Sequence, residues 1–215
     1  MNYEIINSGS DGNCTIINDI IAIDMGVSYK RLAPYHNKLK LVFISHIHQD
    51  HLCVPTVIRL AKNRPTLRFA VGEHLVQKLV ECGVNKKNID IVEPNKKYNY
   101  GLFSIIPLKL YHDVPNYGIR VFMNDKKLIY ATDTNTLEGI VAKDYDVYLI
   151  EGNYESEEEL HERAVTPQYE SRVKKTHLSK EYTTKWLLEN MGDNSVYQFM
   201  HQHRERNINN EKRTY

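Results

Sequence analysis

Between positions 46 and 51 the chain reads His-Ile-His-Gln-Asp-His, three imidazoles and a carboxylate within six residues. Imidazole nitrogen with some carboxylate oxygen suits a divalent zinc ion, and also iron, nickel or manganese. The segment follows the apolar run 39–45, which has the composition of a buried strand. Alternate side chains of a strand share a face, so His46 and His48 are expected to point together toward one ion. A turn at Gln49 would swing Asp50 and His51 to an adjacent position, where a second ion can sit. A cluster of this density marks a metal site far more often than a solvated turn.

The elements that must hold these residues can be read on both sides of them. Residues 3–7, 14–17 and 20–24 are short β-branched runs separated by Gly, Ser and Asn, which predicts a meander of antiparallel strands. The connecting Ser8-Gly-Ser-Asp-Gly-Asn13 reads as a plain hairpin loop in preference to a backbone nest facing the site. Residues 54–62 predict a helix with Pro55 in its first turn. A strand is expected over 68–71, then a helix over 74–82 closed by Gly83 and carrying His74 on its surface. Further strands are expected over 89–92, 103–110, 117–123, 127–133 and 146–151, with a hairpin at Asn124-Asp125. His112 follows one of these strands and Asp133 ends another; a strand-end Asp taken alone more often caps than ligates. An acidic helix starts at the N-cap Ser156, a basic stretch covers 172–175, a helix follows over 180–190, and a strand over 195–200 delivers His201. Strands alternating with helices after an early meander point to an α/β sandwich.

At 215 residues the chain fits one domain, placed at 1–203, with a polar tail at 204–215. Lys and Arg number 28 against 27 Asp and Glu, so overall charge does not announce a nucleic-acid binder. A mean hydropathy of −0.52 and the lack of a long apolar run predict no membrane partner. The first residues carry no basic n-region and no long h-region, so no signal peptide is expected. Cys14, Cys53 and Cys82 are an odd, scattered set that suits a reducing cytoplasm.

His-x-His-x-Asp-His, followed by His112 and Asp133, resembles the signature of the metallo-β-lactamase superfamily, and the likeness runs through nearly the whole chain. The resemblance implies a metallo-β-lactamase-like four-layer αββα sandwich. It also implies two divalent transition-metal ions, zinc foremost with manganese, iron or nickel also admissible. His46, His48 and His112 would hold the first ion, Asp50, His51 and His201 the second, and Asp133 would bridge them. Asp24, in Asp24-Met-Gly26, would orient the metal-binding loop from behind. The order Glu151-Gly-Asn-Tyr154, basic stretch, His177-Leu-Ser179, helix and strand-end His201 looks like the YycJ/WalJ-type branch, and more distantly ribonuclease Z.

That branch implies a cytoplasmic phosphodiesterase or nuclease acting on DNA or RNA through a metal-bridged hydroxide. Asp50 and His177 would be catalytic, His177 as a proton donor or phosphate contact. Arg172, Lys174 and Lys175 would neutralise substrate phosphates, although such a run is more often simply solvated. Thr176 stands where the branch has Gly, and Gln202-His203 where it has Leu-Ser. His201 and His203 are therefore both candidates for the last ligand, His201 being preferred because it comes directly off the apolar strand. A lactonase or glyoxalase II-like thioesterase of the same fold would share the ligand set and is the alternative. A β-lactamase proper is disfavoured, since its relatives carry Cys at the position of Asp133 and are exported. Seven filled ligand positions argue against a non-catalytic binding protein.

Overall fold

The structure is a computed structural model and describes residues 1–202. His203 and the tail 204–215 lie outside the described residues. Strands β1 (Tyr3–Asn7), β2 (Cys14–Ile17) and β3 (Ile21–Ile23) form the expected antiparallel meander. β4 (Leu41–Ile44) joins β3 in parallel; α1 (Val54–Asn63), β5 (Arg68–Val71), α2 (Val76–Glu81) and β6 (Ile89–Ile91) follow, each strand parallel to the one before. The first sheet thus runs β1-β2-β3-β4-β5-β6.

The second sheet starts with β7 (Tyr98–Asn99), β8 (Ser104–Leu110), β9 (Asn116–Met123) and β10 (Lys126–Ala131), all antiparallel. Asn124 and Asp125 take φ of 48° and 58°, the mirror-image turn that closes a tight hairpin. β11 (Val147–Glu151) is parallel to β10. Helices α3 (Glu157–Arg163), α4 (Pro167–Thr176) and α5 (Lys180–Asn190) then lead to β12 (Val196–Met200), parallel to β11 at the sheet edge.

Side-chain alternation makes the layers. Along β4, Leu41 and Phe43 enter a core shared by the two sheets, whereas Val42 and Ile44 face the core beneath α1. Along β11, Val147 and Leu149 meet the first sheet, whereas Tyr148 and Ile150 pack with Trp186 and Leu187 of α5. Three stacked cores between helix, sheet, sheet and helix give the α/β sandwich the sequence implied. Strands buried on both faces read as unbroken apolar runs, which is why β4 and β11 stand out in the sequence.

One local expectation needs correction, and one helix is new. His74 lies in a short 3₁₀ turn, Glu73–Leu75, and is half-buried with its ring 5.3 Å from that of Tyr117, so it is not a helix-surface residue. The basic stretch is the last turn of α4, which starts at Pro167 and is capped by the Thr166 hydroxyl accepting from Tyr169 N. α4 buries only Val173 and Thr176, so it lacks the apolar periodicity that announces a helix.

Three strands end in the same unusual way. Asp24 after β3, Asp133 after β10 and His201 after β12 take φ of 61°, 56° and 50°. These left-handed residues turn the chain off the strand tips; Asp133 and His201 line one cleft, and Asp24 lies behind it against His51. Asp and His tolerate this conformation better than β-branched residues do. Among the described residues, no helix is long and apolar enough to cross a membrane.

Candidate metal centre

β4 stops at Ile44, and the histidine segment beyond it is a turn, with His51 N and Leu52 N both donating to His48 O at 2.9 and 2.8 Å. His46 Nε2 and His48 Nδ1 come within 3.1 Å of each other. Their convergence is thus a product of the loop rather than of strand alternation. The loop is held to two neighbours: Met25 N donates to His51 O at 2.8 Å, Asn13 N to Asp50 O at 2.6 Å and Gly26 N to Asn13 O at 2.9 Å. At Gly26 a Cβ would fall 1.7 Å from Asp50 O, so only glycine fits. Gly26→Ala is expected to push Asp50 out of place and to destabilise the fold by about 3 kcal/mol or more, the upper range of overpacking. Chemical unfolding reads the shift in midpoint; an unmoved midpoint would show that the loop gives way freely.

The loop 8–13 is more than a plain hairpin connection. Asn13 Nδ2 lies 2.8 Å from His51 Nε2 and 3.2 Å from Asp50 Oδ2, so the loop faces the cleft. Sequence reading missed Asn13 because turn composition alone does not reveal direction.

The seven residues His46, His48, Asp50, His51, His112, Asp133 and His201 come together in one place. The ligand atoms of His46, His48 and His112 lie within 4.8 Å of one another, as do those of Asp50, His51 and His201, and of His46, His51 and Asp133. Asp133 faces both sets, its Oδ2 3.0 Å from His51 Nε2 and its Oδ1 3.5 Å from His201 Nε2 and 3.9 Å from His112 Nε2. The cleft has a volume of about 300 Å³ and is walled on its far side by Tyr169, Arg172 and His177.

The donor set fits divalent ions. His51 Nδ1 contacts Asp24 Oδ2 at 2.7 Å, His112 Nδ1 donates to Thr176 O at 3.1 Å, and His46 Nδ1 meets Ser45 Oγ at 2.9 Å. Each ring is oriented by an outer partner on one nitrogen and aims the other at the cleft, as metal-binding imidazoles require. Asp24 therefore stands behind the loop as expected; it also accepts from Ser45 N at 2.8 Å. Asp133 Oδ2 is buried and makes no hydrogen bond despite its closeness to His51. With Nδ1 of His51 carrying the ring proton, two lone pairs face each other there, an arrangement that a cation relieves.

The same carboxylates also draw protons. Burial opposes a charge on His51, yet Asp133 and Asp24 hold its pKa well above the usual histidine range. His201 is raised to about 10, burial again opposing and Asp133, Asp50 and Glu151 prevailing. His46, buried and beside His51, is pushed down to about 2. Asp133 resists the upward push of burial and stays well below the carboxylate range, owing to His201 and His51.

Two further carboxylates belong to the cleft, neither of which the sequence alone assigns to the site. Glu151 is fully buried at the tip of β11; its Oε1 lies 2.7 Å from His177 Nδ1 and 3.5 Å from His201 Nδ1, and its Oε2 accepts from Thr134 N at 3.0 Å. An acid closing the apolar run Val-Tyr-Leu-Ile was the available signal. Asp113 Oδ1 lies 3.1 Å from His112 Nε2 and 3.5 Å from His48 Nε2. His177 stacks on His201 with ring centroids 5.2 Å apart and reaches within 3.7 Å of Asp133 Oδ1. Lys174 turns away, bound by Glu157 at 2.9 Å and Glu170 at 3.0 Å, so it is not available to substrate phosphates as the sequence suggested.

Comparison with known proteins agrees with this architecture. A family model described as a beta-lactamase superfamily domain matches residues 21–201. The crystal structure of the metallo-beta-lactamase fold protein YhfI from Bacillus subtilis is similar, with a TM-score of 0.72 at 16% identity over 93% of this chain and 85% of that one. Human tRNase Z, short form, gives 0.72 at 11% identity over 94% and 93%. Among curated sequences, cytidine monophosphate-N-acetylneuraminic acid hydroxylase of Danio rerio is 44% identical over 55 residues. That match covers 24% of this chain and 9% of the hydroxylase.

Proposed function

This chain belongs to the beta-lactamase superfamily domain family, and on that premise we propose that it is a dinuclear metal-dependent phosphodiesterase that cleaves nucleic acid. His46, His48 and His112 would hold one ion and Asp50, His51 and His201 the other, with Asp133 facing both sets. When bound, such a pair of ions supplies Lewis acidity toward a phosphoryl oxygen and lowers the pKa of water toward neutrality. The protein's own part is orientation and proton transfer. Asp24, Ser45 and the Thr176 carbonyl fix the imidazoles, and Asp50 aligns the nucleophile's side of the cleft.

The observation that carries the reading is the Glu151–His177 pair, at 2.7 Å. A buried carboxylate holds Nδ1 and leaves Nε2 of the imidazole free to give a proton to a departing alkoxide. A strand oxygen leaving from phosphorus needs that proton far more than a thiolate does. The fold neighbour named as a tRNase supports a nucleic-acid substrate. The order Glu151-Gly-Asn-Tyr154 and His177-Leu-Ser179 supports placing the chain in the YycJ/WalJ-type branch. Three free cysteines support a reducing, cytoplasmic setting.

The test is a parallel assay of zinc- and manganese-loaded protein whose metal content has been measured. We expect about two ions per chain, as two-metal hydrolases hold. Single- or double-stranded DNA, RNA or bis-p-nitrophenyl phosphate should be cleaved in preference to a lactone and a thioester. A thioester or lactone turned over faster than every phosphodiester overturns the proposal.

A further inference from the structure

A second groove opens from the metal cleft and has its own chemistry. It has a volume of about 580 Å³, within the range of small-ligand sites, and shares His112, Asp113, Arg172 and Thr176 with the cleft. One wall is a stripe of α4: Gln168, Ser171, Arg172, Lys175 and Thr176. Their spacing of three and four residues puts them on a single helical face. The adjoining face of α4 packs Val173 and Tyr169 against Tyr154 and Leu160.

Each cation of the helix has a distinct fate. Lys174, on the packed side, is held by Glu157 and Glu170. Arg172 lies 5.7 Å from the centre of the Tyr169 ring. Neither Arg172 nor Lys175 pairs with a carboxylate among the described residues, and both are exposed toward the groove. The wall is anchored to the centre, since His112 Nδ1 donates to Thr176 O at 3.1 Å and Asn135 Nδ2 to Lys175 O at 3.0 Å. Asp113, on the facing side, is the groove's one acid and leans on His48 and His112. Two unpaired cations one helical turn apart, fixed beside a hydrolytic centre, form a grip for an anion that lies next to the reacting one.

We propose that the substrate is a polynucleotide strand laid along α4, with the phosphate adjacent to the scissile one held by Arg172 and Lys175. This rests on the phosphodiesterase reading and narrows it: the chain discriminates by length, and small monoesters and diesters are poor substrates because they leave the groove empty. Arg172 presents a planar fork to phosphate, and Lys175 a point charge.

The test compares metal-loaded wild type, Arg172→Ala/Lys175→Ala, Arg172→Lys/Lys175→Arg and Lys174→Ala. A single-stranded oligonucleotide of about 12 residues and bis-p-nitrophenyl phosphate are the substrates. A phosphorothioate copy of the oligonucleotide is titrated by fluorescence anisotropy at several salt concentrations. The double alanine variant is expected to raise KM for the oligonucleotide by about 10- to 100-fold, to raise it far less for the small ester, and to lower the salt slope of binding by about 1.4. The charge-preserving variant should recover most of the loss, and Lys174→Ala should treat both substrates alike. Equal effects on both substrates, or an unchanged salt slope, overturn the inference while leaving the phosphodiesterase reading standing. Absence of any phosphodiester cleavage sinks that reading instead, and the anisotropy arm then decides the groove alone: binding that depends on Arg172 and Lys175 sustains it, and indifference to them refutes it.

Discussion

Asp133→Asn is expected to cost on the order of 10³-fold in kcat/KM, about 4 kcal/mol of transition-state stabilisation, and to release at least one ion. Asparagine keeps the shape of the side chain and tolerates the left-handed backbone at this position. The loss therefore reports on charge rather than on folding. The reason lies in the position of Asp133, whose two oxygens face His51 on one side and His112 and His201 on the other. Removing one negative charge there leaves two metal sets without a shared ligand and His51 without half of its compensation. Metal analysis and kinetics on the same preparation check the result. Full stoichiometry in the asparagine variant would show that Asp133 does not bridge.

His177→Ala should behave in the opposite way toward metal: both ions stay, and cleavage of an oligonucleotide slows by about 10²- to 10⁴-fold, the range for losing a general acid. Because p-nitrophenolate leaves without help from a proton, the same variant should cleave bis-p-nitrophenyl phosphate with a much smaller deficit. Glu151→Gln keeps a hydrogen bond to the imidazole but removes the carboxylate's charge, and should lose about 10- to 100-fold, as outer partners of such sites do. Equal deficits on both substrates for His177→Ala would assign His177 to binding instead of proton donation.

The contrast between the residues found in the sequence and those missed has a physical basis. His46 to His51 are dense in sequence, and β4 before them is buried on both faces, so local composition announced both site and strand. His112, Asp133 and His201 are scattered along the chain; each sits just beyond a strand, but only the family pattern joined them. Glu151 was read as the last residue of a buried strand, and its role appears only once β11 lies beside β12 and brings His177 and His201 to its carboxylate. Asn13 and Asp113 are turn-type residues whose direction depends on tertiary contacts. α4 escaped notice because a helix resting on another helix and on a cleft wall needs few apolar residues.

The left-handed turns of Asp24, Asp133 and His201 bear on how such a site can be lost in evolution. Each holds a backbone conformation that costs a side-chain-bearing residue roughly 1–2 kcal/mol, and glycine alone would relieve it outright. A change to glycine at Asp133 or His201 would therefore erase a proposed ligand while easing the main chain. Descendants of this protein could lose the proposed chemistry and still fold, so selection for stability and selection for chemistry pull these positions in opposite directions. Glycine at the tip of β10 or β12 in a relative is accordingly what a scaffold kept without its proposed ligand would carry.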